Sequence, residues 1–451
     1  MKTVPKNWLI TILVLVSAIA YLLLGYAVPR QDFTSLAGLV AGLFLAYFLF
    51  LKTGISVKNG LLLAIGFRLL LLLATPALSD DFYRFLWDGR LWISGENPFL
   101  HLPAFYAENN FQGIPGLNQT LFNGLSSPQY FSVYPPICQF VFALAAFINP
   151  ESNLTGIVVM RVILLLAELG SFWLMLKLLA RFNLPARNVL LYALNPLVIL
   201  ELTGNLHFEA LVIFFTLAAF HFLTLKRYHF SAVALGLAVC SKLTPLILLP
   251  FIFRRIGFKK GLIYCSVTGL TCLILFAPFI TPELLAHFGS SLNLYFQKFE
   301  FNASIYYVLR GLGFYFYGYN QIAKIGILLS VTTLLLILVL ALREKEAPIK
   351  TLPYRFLQAL TIYYLLATIV HPWYITTLVA LCIFTTSRYA LVWSGLAVLS
   401  YAAYQTSAYT ENPWLLLLEY AGLAAAIFYE KRYGWSPENH PNASLDLPEN
   451  A

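Results

Sequence analysis

The sequence predicts an all-α polytopic membrane protein, a bundle of about 12–14 transmembrane helices with an interfacial helix in its first large outer loop. Three observations lead there. The chain of 451 residues is 60% hydrophobic and 11% charged, with a mean hydropathy of +0.76; soluble domains carry roughly 25% charged residues. The apolar residues gather into runs long enough to cross a bilayer, about 20 residues in the fullest cases. The net charge of +9 is spread over short connections between those runs, as in cytoplasmic loops. It points to membrane orientation and away from nucleic acid.

The runs lie near 8–28, 35–51, 60–78, 155–180, 188–201, 207–225, 261–280, 321–342, 353–370, 372–386, 389–407 and 413–430. Lys2 and Lys6 precede the first, and Ala18-Ile19-Ala20 resembles a signal-peptidase site. The apolar run continues past it through YLLLGYAV, so a retained first helix is expected. Cations cluster at Lys52/Lys58, Lys177/Arg181/Arg187, Lys226/Arg227, Arg254/Arg255/Lys259/Lys260, Arg343/Lys345/Lys350/Arg355 and Lys431/Arg432. Placing these inside puts 79–134, 202–207, 281–320, 371–373 and 408–412 outside. The loop 79–134 carries Asp80, Asp81, Asp88, Glu96 and Glu108 against Arg84 and Arg90, the opposite balance to the inner loops.

Two segments fit this orientation only as non-crossing pieces. Residues 135–148 are short, and 230–253 is interrupted by Ser241-Lys242-Leu243-Thr244-Pro245. The first must dip in without crossing, and the second must enter and return as two helices. Irregular backbone at membrane depth is tolerated only where protein or water surrounds it, so a cavity opening to the outer side is expected. The organisation is then 1–78, N-terminal transmembrane helices; 79–134, an extracytoplasmic loop; 135–430, a transmembrane bundle with outer loop 281–320; and 431–451, a cytoplasmic tail whose polar sequence reads as disordered. Cys138, Cys240, Cys265, Cys272 and Cys382 show no CxxC spacing, which supports neither a zinc site nor a disulfide framework.

The stretch SDDFYRFLWDG, Ser79 to Gly89, follows an apolar run directly. Phe82, Phe85, Leu86 and Trp92 recur at helical spacing, with Asp81, Arg84 and Asp88 on another face. The plain reading is an amphipathic helix in the interface, capped by Ser79 or Asp80, its charges toward water in weak surface pairs. The functional reading is a carboxylate at the membrane surface that takes a proton from a hydroxyl. Tyr134-Pro135-Pro136 opens the short apolar run as a helix start. Gly204-Asn205-Leu206-His207-Phe208-Glu209 lies at the predicted outer side; His207 and Glu209, two apart, converge only off a helix. Two such ligands are too few for a metal site. Lys242 sits inside an apolar segment, where a cation costs roughly 2.5–3.5 kcal/mol on insertion scales and marks a functional position. It suits a phosphate. Arg161 and Glu168 interrupt another run and read as a structural polar stripe. FQKFEFNASIYYVLR, Phe296 to Arg310, reads as an aromatic interfacial belt. In HPWY, His371 to Tyr374, the histidine suits a phosphate or sugar and Trp373 a sugar ring; the plain alternative is a Pro-started helix.

Taken in order, SDDFYRFLWDGRLWISGENPF, YPP, NPLVILELTGNLHFE, SKLTPLILLP, FNASIYYVLR and HPWY resemble the GT-C superfamily of membrane glycosyltransferases, bacterial polyprenyl-phosphate-dependent mannosyltransferase-like branch, from about Ser79 to Tyr374. The resemblance implies a multi-pass inner-membrane enzyme working on the extracytoplasmic face. A polyprenyl-phosphate sugar, mannose favoured, would donate to a hydroxyl of a glycan or lipid acceptor. It implies Asp80 and Asp81 as the catalytic acids. Glu209 stands where relatives often have Asp. The residues then divide into Lys242, Arg84, Arg310 and His371 toward the donor phosphate, and Asp88, His207, Glu209, Tyr134, Asn302 and Trp373 toward substrate. One displacement through an oxocarbenium-like transition state inverts the sugar, with a cation on the leaving phosphate. No cofactor is required; a divalent metal (Mg or Mn) is compatible. A flippase of lipid-linked sugar would share the cavity and Lys242 but would show inverted repeats, and none is visible. An assembly partner of an envelope complex would need neither Asp80 nor Lys242.

Overall fold

Proline and charge decide where the apolar runs become straight helices and where they break. The computed structural model describes residues 6–297, 299–344, 347–406 and 409–433; Lys2, Lys298, Lys345 and the tail from 434 lie outside them. The regular structure of the described residues is helical, apart from one isolated parallel bridge between Phe301 and Ile369. Long unbroken helices form where a run has no interior proline. These are α1 (Lys6–Tyr26), α2 (Phe33–Lys52), α6 (Asn153–Arg181), α10 (Phe258–Phe276) and α11 (Ile322–Leu342). Between them come α3 (Val57–Leu70), α4 (Asp81–Ile93), α5 (Pro136–Ile148), α7 (Glu209–Thr224), α8 (Tyr228–Val239) and α9 (Leu249–Ile256), with α12 (Leu352–Leu366), α13 (Ile375–Cys382) and α14 (Pro413–Tyr433) closing the chain.

Among the described residues 5 helices are long and apolar enough to cross a membrane, or 6 when Pro196–Gly204 and α7 are taken as one bent span. The sequence offers more apolar runs than that. The difference lies in the breaks: Pro245 and Pro250 divide 230–253, and Pro372 cuts α13 from α12, because proline removes an N–H and clashes with the preceding turn.

The interior is held by an unusual amount of buried charge. The Arg68 guanidinium grips Glu168 through two parallel bonds of 3.0 and 2.7 Å, with both side chains 0% exposed. Thr203 Oγ1 donates to the same carboxylate at 2.7 Å. Arg161 donates instead to backbone carbonyls, Thr203 and Gly204 at 2.7 and 2.9 Å and Leu72 at 2.7 Å. Arg161 and Glu168 are thus both structural, but their partners are a π-helix and Arg68 rather than each other. That π-helix, Ile199–Gly204, follows Pro196 and leads into a 111° bend before α7. Its last carbonyls lack helical partners, and Arg161 supplies them.

Candidate functional site

The bend and the start of α4 face each other. Asn205, just past the π-helix, accepts the Leu78 backbone N–H at 3.0 Å and so fixes where Asp80 and Asp81 begin α4. Helix α4 keeps its amphipathic spacing but buries both faces. Phe82, Phe85 and Leu86 are buried, and so are Arg84 and Asp88. The reason is cover. Residues 102–124 fold back so that Tyr106, Phe111 and Phe122 pack on Trp87, while α5 packs on the other side. At that crossing Gly89 touches α5 so closely that a Cβ would lie 2.2 Å from the Phe142 carbonyl oxygen.

Arg84 and Asp88 therefore bond inward. Arg84 Nε donates to Asp88 at 2.7 Å and Nη1 to the Tyr130 carbonyl at 2.9 Å. Asp88 also accepts from Ser132 Oγ at 2.5 Å and Gln139 Nε2 at 3.0 Å. These bonds tie α4 to α5 and to the segment carrying Tyr134.

The two short segments that disturbed the predicted orientation complete one another. Ile137 N–H, in the first turn of α5, donates to the Cys240 carbonyl at 3.0 Å, and Cys138 Sγ lies 3.2 Å from the Ser241 carbonyl. Free N–H groups at one helix start thus meet free carbonyls at the break after α8. Lys242 projects from that break. Its ammonium pairs with Glu209, the first residue of α7, and sits 3.7 Å over the Tyr374 ring. The Lys242 side chain stays 29% exposed, against 6% for Glu209.

Four rings make a column beside this pair. His207 stacks on Trp373 at 3.8 Å, Trp373 on His371 at 4.2 Å and His371 on Phe301 at 4.9 Å. Its far end is pinned through backbone: Phe301 N–H donates to the Thr368 carbonyl at 3.0 Å and Val370 N–H to the Phe301 carbonyl at 2.9 Å. Asn302 holds the same seam from behind. Its amide donates to the Val370 carbonyl and to Glu419, both at 3.2 Å, and its backbone N–H to Glu411 at 2.6 Å. Arg310 pairs with Glu300 and covers Tyr307 at 4.2 Å, a neighbourhood of its own.

Asp80 and Asp81, adjacent in sequence, part company. Asp80 accepts a 2.6 Å bond from Arg30, which lies in the connection between α1 and α2 and covers the Tyr404 ring at 4.9 Å. Asp81 is half-buried. It takes a hydrogen bond from Tyr134 and feels the charges of His207, Asp80 and Glu209. Burial raises its pKa above the ordinary carboxylate value, with Asp80 and Glu209 adding to the rise and His207 and Tyr134 opposing it. Burial, with Lys242 and His207 nearby, holds the His371 ring well below its usual value. His371 is therefore neutral near pH 7 and offers a hydrogen bond rather than a charge; its buried Nδ1 has no partner.

The structure thus gathers Asp80, Asp81, Tyr134, His207, Glu209, Lys242, His371 and Trp373. Within this cluster the Arg30–Asp80 and Lys242–Glu209 pairs are part-exposed, Asp80 at 32% and Lys242 at 29%. The space under Leu78, Gly204 and Asn205 measures about 10 Å³, room for about one water. Among the described residues no three His, Cys, Asp or Glu side chains form a metal-holding group. Arg30 and Glu201 escaped the sequence reading. Both carried a signal: Arg30 is a cation on the predicted outer side, against the positive-inside pattern, and Glu201 is an acid within an apolar run.

Comparison with known proteins adds one finding. The profile of the alpha-(1->6)-mannopyranosyltransferase N-terminal domain matches residues 21–256, slightly over half of the chain. The matched stretch includes Arg30, the aspartate pair, Tyr134, the His207 bend and Lys242. No curated protein matches the chain.

Proposed function

Because the chain belongs to the alpha-(1->6)-mannopyranosyltransferase family of GT-C mannosyltransferases, we propose that it moves a mannosyl group from a polyprenyl-phosphate carrier to an acceptor hydroxyl on a glycan or lipid, with inversion and with Asp81 as general base. It is a multi-pass membrane glycosyltransferase; the donor, the inner membrane, the extracytoplasmic side and the base belong to the proposal. The observation that carries it is the setting of Asp81, half-buried between Tyr134 and His207 and next to the Glu209–Lys242 pair.

The acceptor O–H lies against the Asp81 carboxylate. Its oxygen attacks the anomeric carbon as the O–H bond breaks and the proton passes to Asp81. The bond from the anomeric carbon to the carrier phosphate breaks on the opposite face, and its electron pair leaves with the phosphate. That anion needs a cation. Lys242 takes this role in the proposal; its part-exposed side chain and its pairing with Glu209 support that. His371 serves the sugar through its unpartnered Nδ1; Trp373, expected to stack on a sugar ring, has His207 on one face and His371 on the other and instead holds those two rings in place. Arg30 already occupies the Asp80 carboxylate, which leaves the proton transfer to its neighbour. Arg84, Asp88 and Asn302 act through the bonds they already make, and Arg310, expected at the donor phosphate, is instead taken up by Glu300 and Tyr307.

The test is turnover of purified protein with radiolabelled polyprenyl-phosphate mannose. Asp81→Asn is expected to lower the rate by about 10²–10⁴-fold, the range for removing a general base, and Asp80→Asn by much less. In the wild type the rate falls with pH as Asp81 takes up a proton, on a limb above the ordinary carboxylate range. Retained turnover in Asp81→Asn removes the base assignment. Movement of intact lipid-linked sugar without glycoside formation removes the transferase reading.

A further inference from the structure

Glu201 is a buried acid that the transfer, as written, does not use. It lies in the π-helix and is 1% exposed. Tyr401 Oη donates to its Oε1 at 2.5 Å, and Asn205 Nδ2 reaches its Oε2 at 3.4 Å. The third group on it is His207, whose Nε2 lies 3.2 Å from Oε2. The backbone holds the two in place: His207 N–H donates to the Glu201 carbonyl at 3.1 Å, across Leu206 with its left-handed φ of 61°. Trp373 locks the ring from one face at 3.8 Å. Yet the 3.2 Å contact is not aligned as a hydrogen bond, and His207 Nε2 is left buried without one. The two side chains are in contact without a hydrogen bond between them. Asp81 interacts with the same ring.

A buried carboxylate is costly unless something nearby is positive. The group within reach of Glu201 that can carry a positive charge is the His207 ring. The same ring acts on Asp81 in the direction of its ionised form. We infer that Glu201 is a positioning residue for the transfer: it balances and orients His207, and through His207 keeps Asp81 ready to accept the acceptor's proton.

This inference rests on the reading of Asp81 as base. Proton balance is unchanged by it. The acceptor O–H bond breaks, an O–H bond forms on Asp81, and the leaving phosphate keeps the electron pair of the broken glycosyl bond. Glu201 touches none of these atoms. Other groups set the background against which it acts. Asp80, Tyr134, Glu209, Tyr401 and Tyr404 face Asp81. Asp80 is held by Arg30. His371 faces His207 from the ring column, with Lys242 behind it.

The experiment compares pH profiles of kcat/KM in the full-length protein. Glu201→Gln keeps the shape and can keep the Tyr401 bond but removes the charge. The acid limb is expected to move up by about half a unit or more, as for loss of one nearby charge partner. Turnover on the acid limb falls several-fold, while the rate at the alkaline plateau stays within about twofold. His207→Gln is expected to move the limb in the same direction, and the double variant no further than His207→Gln alone, since both act through one ring. A uniform loss at every pH with an unmoved limb, or additive shifts in the double variant, overturns the inference. Should Glu201→Gln fail to fold, His207→Gln alone decides, because an unmoved limb there removes the intermediary. The two readings fail differently. An active Asp81→Asn takes the base assignment and this inference together; an inactive Asp81→Asn with an unmoved Glu201→Gln limb takes only the role of Glu201.

Discussion

Two polar clusters lie within this apolar chain, built from the same residue types and opposite in character. In the first, Arg68, Glu168, Arg161 and Thr203 are all buried and their bonds point at each other or at backbone carbonyls. In the second, Lys242 and Asp80 remain part-exposed, His371 Nδ1 and His207 Nε2 have no hydrogen bond, and Asp81 sits among two other acids. A charge inside a membrane protein does not by itself mark function. Satisfied charge holds helices together, whereas charge left incomplete in a half-open place has something still to bind.

The sharpest break of that comparison is Arg68→Ala. It leaves Glu168 buried without its partner, and removing one half of a buried pair costs about 3–5 kcal/mol. Folded protein recovered in detergent and its Tm are expected to drop severely; a variant with unchanged Tm places the first cluster in the same class as the second. Lys242→Met is expected to act more on turnover than on folding. Its Tm falls less than that of Arg68→Ala, because Lys242 is part-exposed although Glu209 is buried, while kcat/KM for the lipid-linked donor falls about 10–100-fold, or roughly 1.4–2.7 kcal/mol of lost transition-state stabilisation. A steady-state assay with varied donor decides it; an unaffected kcat/KM with a lowered Tm makes the Lys242–Glu209 pair a structural one. Arg30→Gln has the smallest expected effect, about 3–10-fold in kcat, on the order of 1 kcal/mol as for a part-exposed pair. Freed from its partner, Asp80 competes with Asp81 for the proton. Combining Arg30→Gln with Asp80→Asn is then expected to restore part of the rate, and a further loss in the double variant denies that competition.

The helical, membrane-embedded class was legible because composition and run length follow directly from solvation by lipid. The break at Lys242 was legible too, since Pro245 and a lone cation interrupt an apolar run. Asp80, Asp81, Tyr134, His207, Glu209, Lys242, His371 and Trp373 lie near one another, whereas Arg84, Asp88, Asn302 and Arg310 are taken up in other bonds. What the sequence hid was partnership. Nothing in SDDFYRFLWDG says that residues 102–124 fold back over Trp87 and turn Arg84 and Asp88 into a buried pair. Nothing in the spacing of Arg161 and Glu168, seven apart on one helix, names Arg68 as the partner of Glu168. Arg30 and Tyr404 meet Asp80 from parts of the chain 50 residues before it and over 300 after it. Such long-range pairs depend on how helices pack, which a one-dimensional pattern does not encode.

The bond from Ile137 to Cys240 sets a timetable for biosynthesis. Each of these two segments leaves backbone groups that lipid will not solvate, and each supplies what the other lacks. The bond joins residues about a hundred positions apart, so it can form only after Cys240 has been made. From then on the segments that carry Tyr134 and Lys242 can be held against each other.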